Sequence, residues 1–185
     1  MRPRDNKKEI LILEAIIDLV IKNGLHSLSM SKIAEKTKLS AATIYIYYDN
    51  KEDLIEKTYL FVKKSLSEYL KKGISKEQKT EDMVKQFIKN VFDYAKDHLN
   101  YLLFIEVCSL NPDIKHEHPD LKYVFEVFEN AIKRKDLKNM EAYELMLYCY
   151  IPIVQLAKDF QRNPNIDTEA RFENICILTW DAIRR

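Results

Sequence analysis

The sequence has 185 residues, of which 46% are hydrophobic and 32% charged, a composition typical of a globular chain with a substantial core. It contains only two glycines, Gly24 and Gly73, which excludes hairpin-rich sheet folds and glycine-rich phosphate loops. The net charge is +1, and the three cysteines are too few and too widely spaced for a disulfide framework or a paired-cysteine metal site.

Charged residues interrupt the apolar stretches. Glu14 and Asp18 lie inside the first apolar segment, which is therefore not an export signal. The longest uncharged run, residues 145–157, is shorter than the roughly 20 residues that a bilayer span needs, and Pro152 interrupts it. We expect a soluble, cytoplasmic protein with no membrane segment.

Apolar residues recur every three or four positions along most of the chain, which predicts an all-α protein of about nine helices. The first helix ends at Gly24. Ser29 and Ser40 are predicted N-caps of two short helices, the second covering residues 41–47. Asn50, with an acidic residue three positions later, is predicted to begin a long helix over 50–70.

The remaining helices are longer and more apolar. They are predicted to begin at Thr80 and Pro119 and to cover residues 99–110, 141–161 and 168–184. Short helices followed by long apolar ones indicate two functional regions. The 50–70 helix is the predicted connector, because no Ser/Gly-rich linker separates the regions.

The segment from residue 24 to 54 carries the clearest chemical pattern. Two short helices joined by a tight turn can place the second helix in the major groove of DNA. Small and hydroxylated side chains dominate that second helix: Ser40, Ala41, Ala42, Thr43, Tyr45 and Tyr47. Such side chains let a backbone approach DNA closely, donate to phosphates and contact thymine methyl groups.

This segment resembles the helix-turn-helix signature of TetR-type (tetracycline-repressor-like) transcriptional regulators. The residues that carry the resemblance are Ile33-Ala34, Leu39-Ser40 and Thr43-Ile44-Tyr45-x-Tyr47-Tyr48-x-Asn50-Lys51-Glu52-x-Leu54. It implies an all-α fold with a three-helix DNA-binding domain over residues 1–50 and the motif at about 29–48. An effector-binding and dimerisation domain would cover residues 51–185.

The family pattern also implies which residues contact DNA: Ser29, Ser31, Ser40, Ala41, Ala42, Thr43, Tyr45, Tyr47 and Lys51. Lys51 and Tyr45 have the strongest physical support, since an ammonium and a phenol are good phosphate partners. Core packing is the alternative for the tyrosines, and we expect Tyr48 to pack. Lys38 stands where the family often has glycine, so a positive φ there would cost about 1 kcal/mol.

Charge is divided unevenly along the chain. Residues 1–64 carry a net charge of +3 and the remainder −2. Four of the basic residues lie at the N-terminus: Arg2, Arg4, Lys7 and Lys8. They can form an arm that grips the DNA backbone or minor groove, or a solvated terminus.

The resemblance implies two further sites beyond the motif. An effector pocket among the aromatic helices would involve Phe87, Tyr94, Phe104, Cys108, Phe125, Phe128 and Tyr148. A dimer interface would involve Phe172, Cys176, Thr179, Trp180 and Ile183. Ordinary packing within one chain is the alternative for each residue. His116-Glu117-His118 does not have the spacing of a metal site and is expected to be a solvated loop.

These features together predict a ligand-responsive transcriptional regulator, with repression as the favoured sign of regulation. It would bind a palindromic operator as a homodimer and be released by a small hydrophobic or amphipathic effector, without a cofactor, metal or catalytic residue. A helical enzyme acting on a small hydrophobic or aromatic substrate is the alternative, and a protein-interaction module is another. Neither accounts for the pattern from Thr43 to Leu54.

Overall fold

The computed structural model describes residues 6–112, 114 and 121–185 of the chain. Within those residues it contains eight α-helices, one short 3-10 turn and no β-strand beyond an isolated bridge between Leu137 and Arg184. The helices are α1 (Asn6–Asn23), α2 (Met30–Thr37), α3 (Ala41–Ile44), α4 (Lys51–Leu70), α5 (Thr80–Ser109), α6 (Lys122–Lys133), α7 (Ala142–Arg162) and α8 (Thr168–Ile183). The all-α prediction is confirmed.

Some sequence features lie outside the described residues. These are Arg2 and Arg4 of the proposed arm, the His116-Glu117-His118 segment and the predicted helix start at Pro119.

The helix boundaries follow the capping residues that the sequence predicts. The Ser29 hydroxyl accepts a hydrogen bond from the Lys32 amide at 3.3 Å and begins α2. At the start of α4 the Asn50 side-chain oxygen accepts from the Asp53 amide at 2.7 Å, while the Asp53 carboxylate accepts from the Asp49 amide at 2.9 Å. Asn50 is therefore the expected cap of α4, and the Asp53 side chain bonds the residue before the cap in a variant of the capping box.

Helix α5 accounts for the difference between about nine predicted helices and eight observed ones. His98, with φ −134° and ψ 36°, is not helical, yet the helix continues on both sides of it. The sequence predicts two helices here, one from Thr80 and one over residues 99–110, so the kink lies where the break was expected.

The chain divides into two compact units. The described residues of Met1–Lys64 and Asn100–His118 form the first unit, and those of Ser65–Leu99 and Pro119–Arg185 form the second. Helices α4 and α5 each contribute residues to both units. The functional division at residue 50 stays a prediction.

The first unit is built around one hydrophobic core. In it α1 packs on α2, and α2 packs on α3. Ile12, Ile16 and Val20 on one face of α1 are fully buried, as is Leu54 at the start of α4. Residues from the C-terminal half of α5, such as Phe104, complete this core. Since burial of each large apolar side chain stabilises a fold by about 1.5–3 kcal/mol, these contacts hold the short helices α2 and α3 in place.

The second unit contains the long apolar helices. Helix α7 packs against both α6 and α8. Its buried side chains include Leu145, Cys149 and Ile153. A hydrogen-bonded cluster joins three distant segments of this unit: the Thr80 hydroxyl donates to Asp136 at 2.6 Å, Arg134 donates to Asp136 at 3.0 Å, and Arg185 donates its amide to the Asp136 carbonyl oxygen at 3.1 Å.

Among the described helices, none combines the length and apolar character that a membrane crossing requires.

Candidate nucleic-acid interface

Helices α2 and α3 are joined by a tight turn in which Lys38 has φ 57° and ψ 25°. This is the left-handed region of backbone conformation, which residues other than glycine and asparagine rarely adopt. Lys38 therefore has the positive φ for which the sequence predicts a cost of about 1 kcal/mol. The Thr37 hydroxyl supports the turn from the helix side by donating to the Ile33 carbonyl oxygen at 2.7 Å. The two helices therefore keep a helix-turn-helix arrangement without the glycine.

Helix α3 is short and is stabilised at its N-terminus by Ser40. The Ser40 hydroxyl accepts from the Thr43 amide at 3.1 Å and lies 2.8 Å from the Thr43 hydroxyl. Ile44, with 0% exposure, anchors the helix to the core. Ala41 and Ala42 are exposed at its first turn. The outer surface of α3 therefore presents the methyl groups of Ala41 and Ala42 to solvent.

Tyr45 and Tyr47 follow α3 and differ in exposure. Tyr45 is 54% exposed, as a DNA contact requires, whereas Tyr47 is 5% exposed and packs in the core with its ring 6.5 Å from that of Tyr48. The Tyr47 ring therefore packs in the core, which was the alternative to a contact with DNA. Tyr48 is 4% exposed, as expected. In the turn after α3 the first two side chains, Tyr45 and Ile46, point outward, and the next two, Tyr47 and Tyr48, point into the core.

Ile46 is an exposed residue that the sequence did not single out. Its side chain is 59% exposed beside Tyr45. An isoleucine within a helical pattern is usually buried, and nothing in the sequence indicates that Ile46 is more exposed than Ile44. Its exposure next to the recognition helix adds an apolar group to the candidate surface.

The serines and the lysine predicted to approach phosphates lie at helix ends. Ser29 and Ser31 are at the start of α2, with Ser31 exposed. Lys51 is half-buried in the first turn of α4, and its ammonium donates to the His26 carbonyl oxygen at 3.3 Å. Helix N-termini carry partial positive charge and unpaired amides, which suit phosphate oxygens.

The predicted effector residues are distributed over both units. Phe104 and Cys108 belong to the core of the first unit. In the second unit, the buried Phe87 and Phe128 rings meet edge to face with centroids 5.4 Å apart, and the Tyr94 hydroxyl donates to the Ser65 hydroxyl at 3.1 Å. They fill core space in this structure, and their role in ligand binding stays a prediction.

Two other predicted effector residues lie at the surface of the second unit. Phe125 stacks on Tyr143 with centroids 6.4 Å apart beside a cleft of about 380 Å³. Tyr148 is 56% exposed on α7, and its role in ligand binding stays a prediction. Helix α7 is apolar on nearly all sides, so the spacing of its residues did not indicate which side faces inward.

The predicted dimer residues of α8 are packed within their own chain. Cys176, Thr179 and Ile183 are each 5% exposed or less, and the Phe172 ring stacks on Phe92 at 4.6 Å. Trp180 is half-buried. Most of the predicted dimer residues therefore pack within their own chain, which was the alternative to a dimer interface. The large apolar side chains that α7 and α8 leave exposed are others: Tyr148, Ile151, Ile177 and Leu178.

The three cysteines are buried and free. Burial raises the pKa of the Cys108 and Cys149 thiols to about 12 and that of Cys176 to about 11. Because the thiolate is the reactive form, such thiols are inert near neutral pH. In the part of the chain that the structure describes, no group of His, Cys, Asp and Glu side chains is arranged to hold a metal ion.

The helix-turn-helix region is similar in sequence to known proteins. Residues 12–58, which span α1 to α4, match the family model "Bacterial regulatory proteins, tetR family". Over 59 residues the chain is 41% identical to the uncharacterized HTH-type transcriptional regulator YdeS of Bacillus subtilis, which covers 32% of this chain and 30% of that protein. An uncharacterized HTH-type transcriptional regulator of Haemophilus influenzae is 25% identical over 94% of both chains.

The fold agrees over the full length. A crystal structure of a TetR family transcription regulator from Marinobacter aquaeolei superposes with a TM-score of 0.88, covering 100% of this chain and 99% of that one at 22% sequence identity. The proteins that resemble this chain in sequence and fold are transcriptional regulators and not enzymes. The helix-turn-helix region of the chain thus matches the tetR family model over residues 12–58, and its fold is that of a solved TetR family regulator.

Proposed function

We propose that the protein is a ligand-responsive transcriptional repressor that binds a palindromic operator as a homodimer in the cytoplasm. The observation that carries the proposal is the exposed outer surface of α3 and the turn after it, on a helix-turn-helix that the first core holds in place. Ala41, Ala42 and Ile46 present methyl groups there, and Tyr45 presents a phenol.

The surface reads DNA by two kinds of contact. Methyl groups of Ala41, Ala42 and Thr43 lie against thymine methyls in the major groove, where each base pair has its own pattern of groups. Ser31, Tyr45 and Lys51 contact phosphates and fix the register of the helix. The first 64 residues carry a net charge of only +3, so sequence-independent binding is weak and base readout has a larger share.

A second copy of the chain supplies the second half-site. Twofold operators place two recognition helices about 34 Å apart, which requires a dimer. The exposed apolar residues of the last two helices support this: Ile151 is 57% exposed on α7, and Ile177 and Leu178 are 58% and 69% exposed on α8. Contact with an identical surface would remove these side chains from water. We therefore place the interface on these residues and not on the buried Cys176, Thr179 and Ile183.

The effector acts through the second unit. Helix α4 begins directly after the helix-turn-helix and continues into the second unit, so a ligand that prefers one arrangement of that unit can shift α4. A change in the position of α4 would alter the spacing of the two recognition helices and weaken operator binding.

The test is DNA binding by the purified protein. It is expected to prefer a fragment of its own promoter over random duplex by at least about a thousandfold, with an affinity that falls as salt rises. Deleting the gene is expected to raise transcription from that promoter. Equal affinity for both duplexes would overturn the proposal, and loss of transcription on deletion would overturn the repressor role.

A further inference from the structure

The second unit contains a cavity of about 510 Å³ that none of the predicted effector residues lines. Its volume is within the range of about 300–1,000 Å³ typical of small-molecule sites. One wall is a stripe of α5 at positions i, i+3, i+4 and i+7, namely Phe92, Ala95, Lys96 and Leu99. The opposite wall is the C-terminal end of α7, and residues 166–169 close the third side.

The walls are mostly apolar. Phe92 and Ala157 are buried, while the Phe160 ring is 40% exposed at the cavity. Leu99 and Ile166 complete the apolar lining. A ligand with an apolar body would remove the exposed part of the Phe160 ring from water, at about 25 cal/mol per Å² of apolar surface buried.

The charged groups around the cavity have an acidic excess. Lys96 pairs with Asp93 at 3.2 Å, and Lys89 pairs with the other oxygen of the same carboxylate. Asp167 and Glu169 also line the cavity. The charged residues that line the cavity are therefore two acidic ones, Asp167 and Glu169, and one basic one, Lys96, whose ammonium is already paired with Asp93.

One aromatic wall already attracts positive charge. The Lys96 ammonium lies 4.7 Å from the centroid of the Phe92 ring, within the range of a cation–π interaction. Because Lys96 and Phe172 cover the Phe92 ring, the exposed part of the Phe160 ring is the aromatic surface that remains for a ligand, beside the carboxylates of Asp167 and Glu169. This combination stabilises a positive charge attached to an apolar body.

We propose that this cavity binds an organic cation with an apolar body, which contacts Phe160 and Leu99 while Asp167 and Glu169 balance its charge. The inference rests on the proposed ligand response, since such a cation would be the effector. It adds the chemical class of the ligand and a location apart from Phe87, Phe128 and the other predicted residues.

Tetraphenylphosphonium and tetraphenylborate are suitable probes because they have nearly the same shape and opposite charge. Titration calorimetry of each against the full chain, without DNA, separates the effect of charge from that of apolar contact. We expect one phosphonium site per chain, with binding at least about tenfold tighter than that of the borate. Equal affinity for the two ions, or no phosphonium binding, would overturn the proposal.

Two variants locate the site. Glu169→Lys is expected to weaken phosphonium binding about tenfold and to strengthen borate binding, whereas Phe160→Ala is expected to weaken both ions. Both residues are exposed, so each variant should stay folded, with a small loss of melting temperature for Glu169→Lys because Glu169 lies in the first turn of α8. Glu56→Lys, the same charge change on an exposed residue of the first unit, is the control and should leave both affinities unchanged.

Unchanged phosphonium binding in both variants would place the ion elsewhere and overturn the inference. Because these titrations contain no DNA, their outcome is independent of promoter binding. Failure to prefer promoter DNA would overturn the proposed regulator function and leave the assignment of the cavity standing.

Discussion

The ammonium of Lys51 donates a hydrogen bond to the main-chain carbonyl oxygen of His26 at 3.3 Å. This contact joins the first turn of α4 to the 3-10 turn at Leu25–Ser27, which lies directly before α2. A lysine ammonium has three donors, so the bond to His26 leaves others for a phosphate. Lys51 thus has a positioning contact within the first unit as well as its proposed contact with DNA.

Replacing Lys51 by methionine tests both contacts. We expect operator affinity to fall about tenfold and the slope of log affinity against log salt to decrease by about 1, as for the loss of one phosphate contact. The free energy of unfolding should fall by no more than about 1 kcal/mol, because the bond to His26 is exposed. Lys64→Met, at an exposed position of α4, is the control; an equal loss of affinity there would refute a specific role for Lys51.

The left-handed conformation of Lys38 predicts that glycine is better at this position. Lys38→Gly relieves a backbone cost of about 1–2 kcal/mol and adds about 0.4–1 kcal/mol of unfolded-state entropy. We expect a net gain of about 0.5 kcal/mol in denaturant unfolding. Glu35→Gly, at an exposed position within α2, should instead lose about 1 kcal/mol. If both variants lose stability equally, Lys38 is not strained.

Ile46 is expected to read a thymine methyl group. Once the bound promoter fragment is mapped by footprinting, uracil can replace thymine at single positions, which removes only the methyl. The original protein should discriminate thymine from uracil about threefold to tenfold at one position of each half-site, as one apolar contact to a methyl allows. Ile46→Ala should bind both fragments equally. Discrimination that persists in the variant would assign the contact to another residue.

If the exposed face of α8 forms the dimer interface, a charge placed on it should dissociate the dimer into monomers. Leu178→Glu places a carboxylate in an apolar interface and should convert the dimer to a monomer, as measured by sedimentation equilibrium, with loss of operator binding. Leu110→Glu makes the same change at a leucine that is 85% exposed at the end of α5 and should leave the dimer intact. A dimeric Leu178→Glu protein would exclude the proposed interface.

Asp136 predicts a pH dependence of stability. The Thr80 hydroxyl and then the Arg134 guanidinium hold the pKa of its carboxyl below the ordinary value. A lowered pKa in the folded state stabilises the protein above the ordinary pKa, and this contribution is lost as the pH falls through the folded-state pKa. Since Asp136 is exposed, we expect Asp136→Asn to lower the melting temperature by only about 1–2 °C at pH 7.

The difference between Asp136→Asn and the original protein should be complete above the ordinary carboxyl pKa of about 4 and should be lost as the pH falls through the lowered folded-state pKa. Glu129→Gln, whose carboxylate is 4.0 Å from the Lys133 ammonium, is the control and should show a smaller difference. A difference that is independent of pH would mean that the carboxylate charge is not the cause.

The sequence alone determined most of the local structure. Ser29, Ser40 and Asn50 cap the helices that they were predicted to cap, and Gly24 ends α1 as expected, with φ 76°. Capping and helix termination depend on a few neighbouring residues, so they can be read without knowing the fold. The helix-turn-helix was recognisable for the same reason, because its pattern lies within about thirty consecutive residues.

The tertiary structure alone decided which faces of the apolar helices are buried. Tyr47 and Ile46 are adjacent, yet one lies in the core and the other at the surface. On α7 and α8 apolar residues occur on several sides, so periodicity could not show that Cys176 packs inside while Leu178 is exposed. Burial depends on which helices meet, and the residues that meet are far apart in the chain. The cavity beside Phe160 has the same origin, since its three walls come from three separate segments.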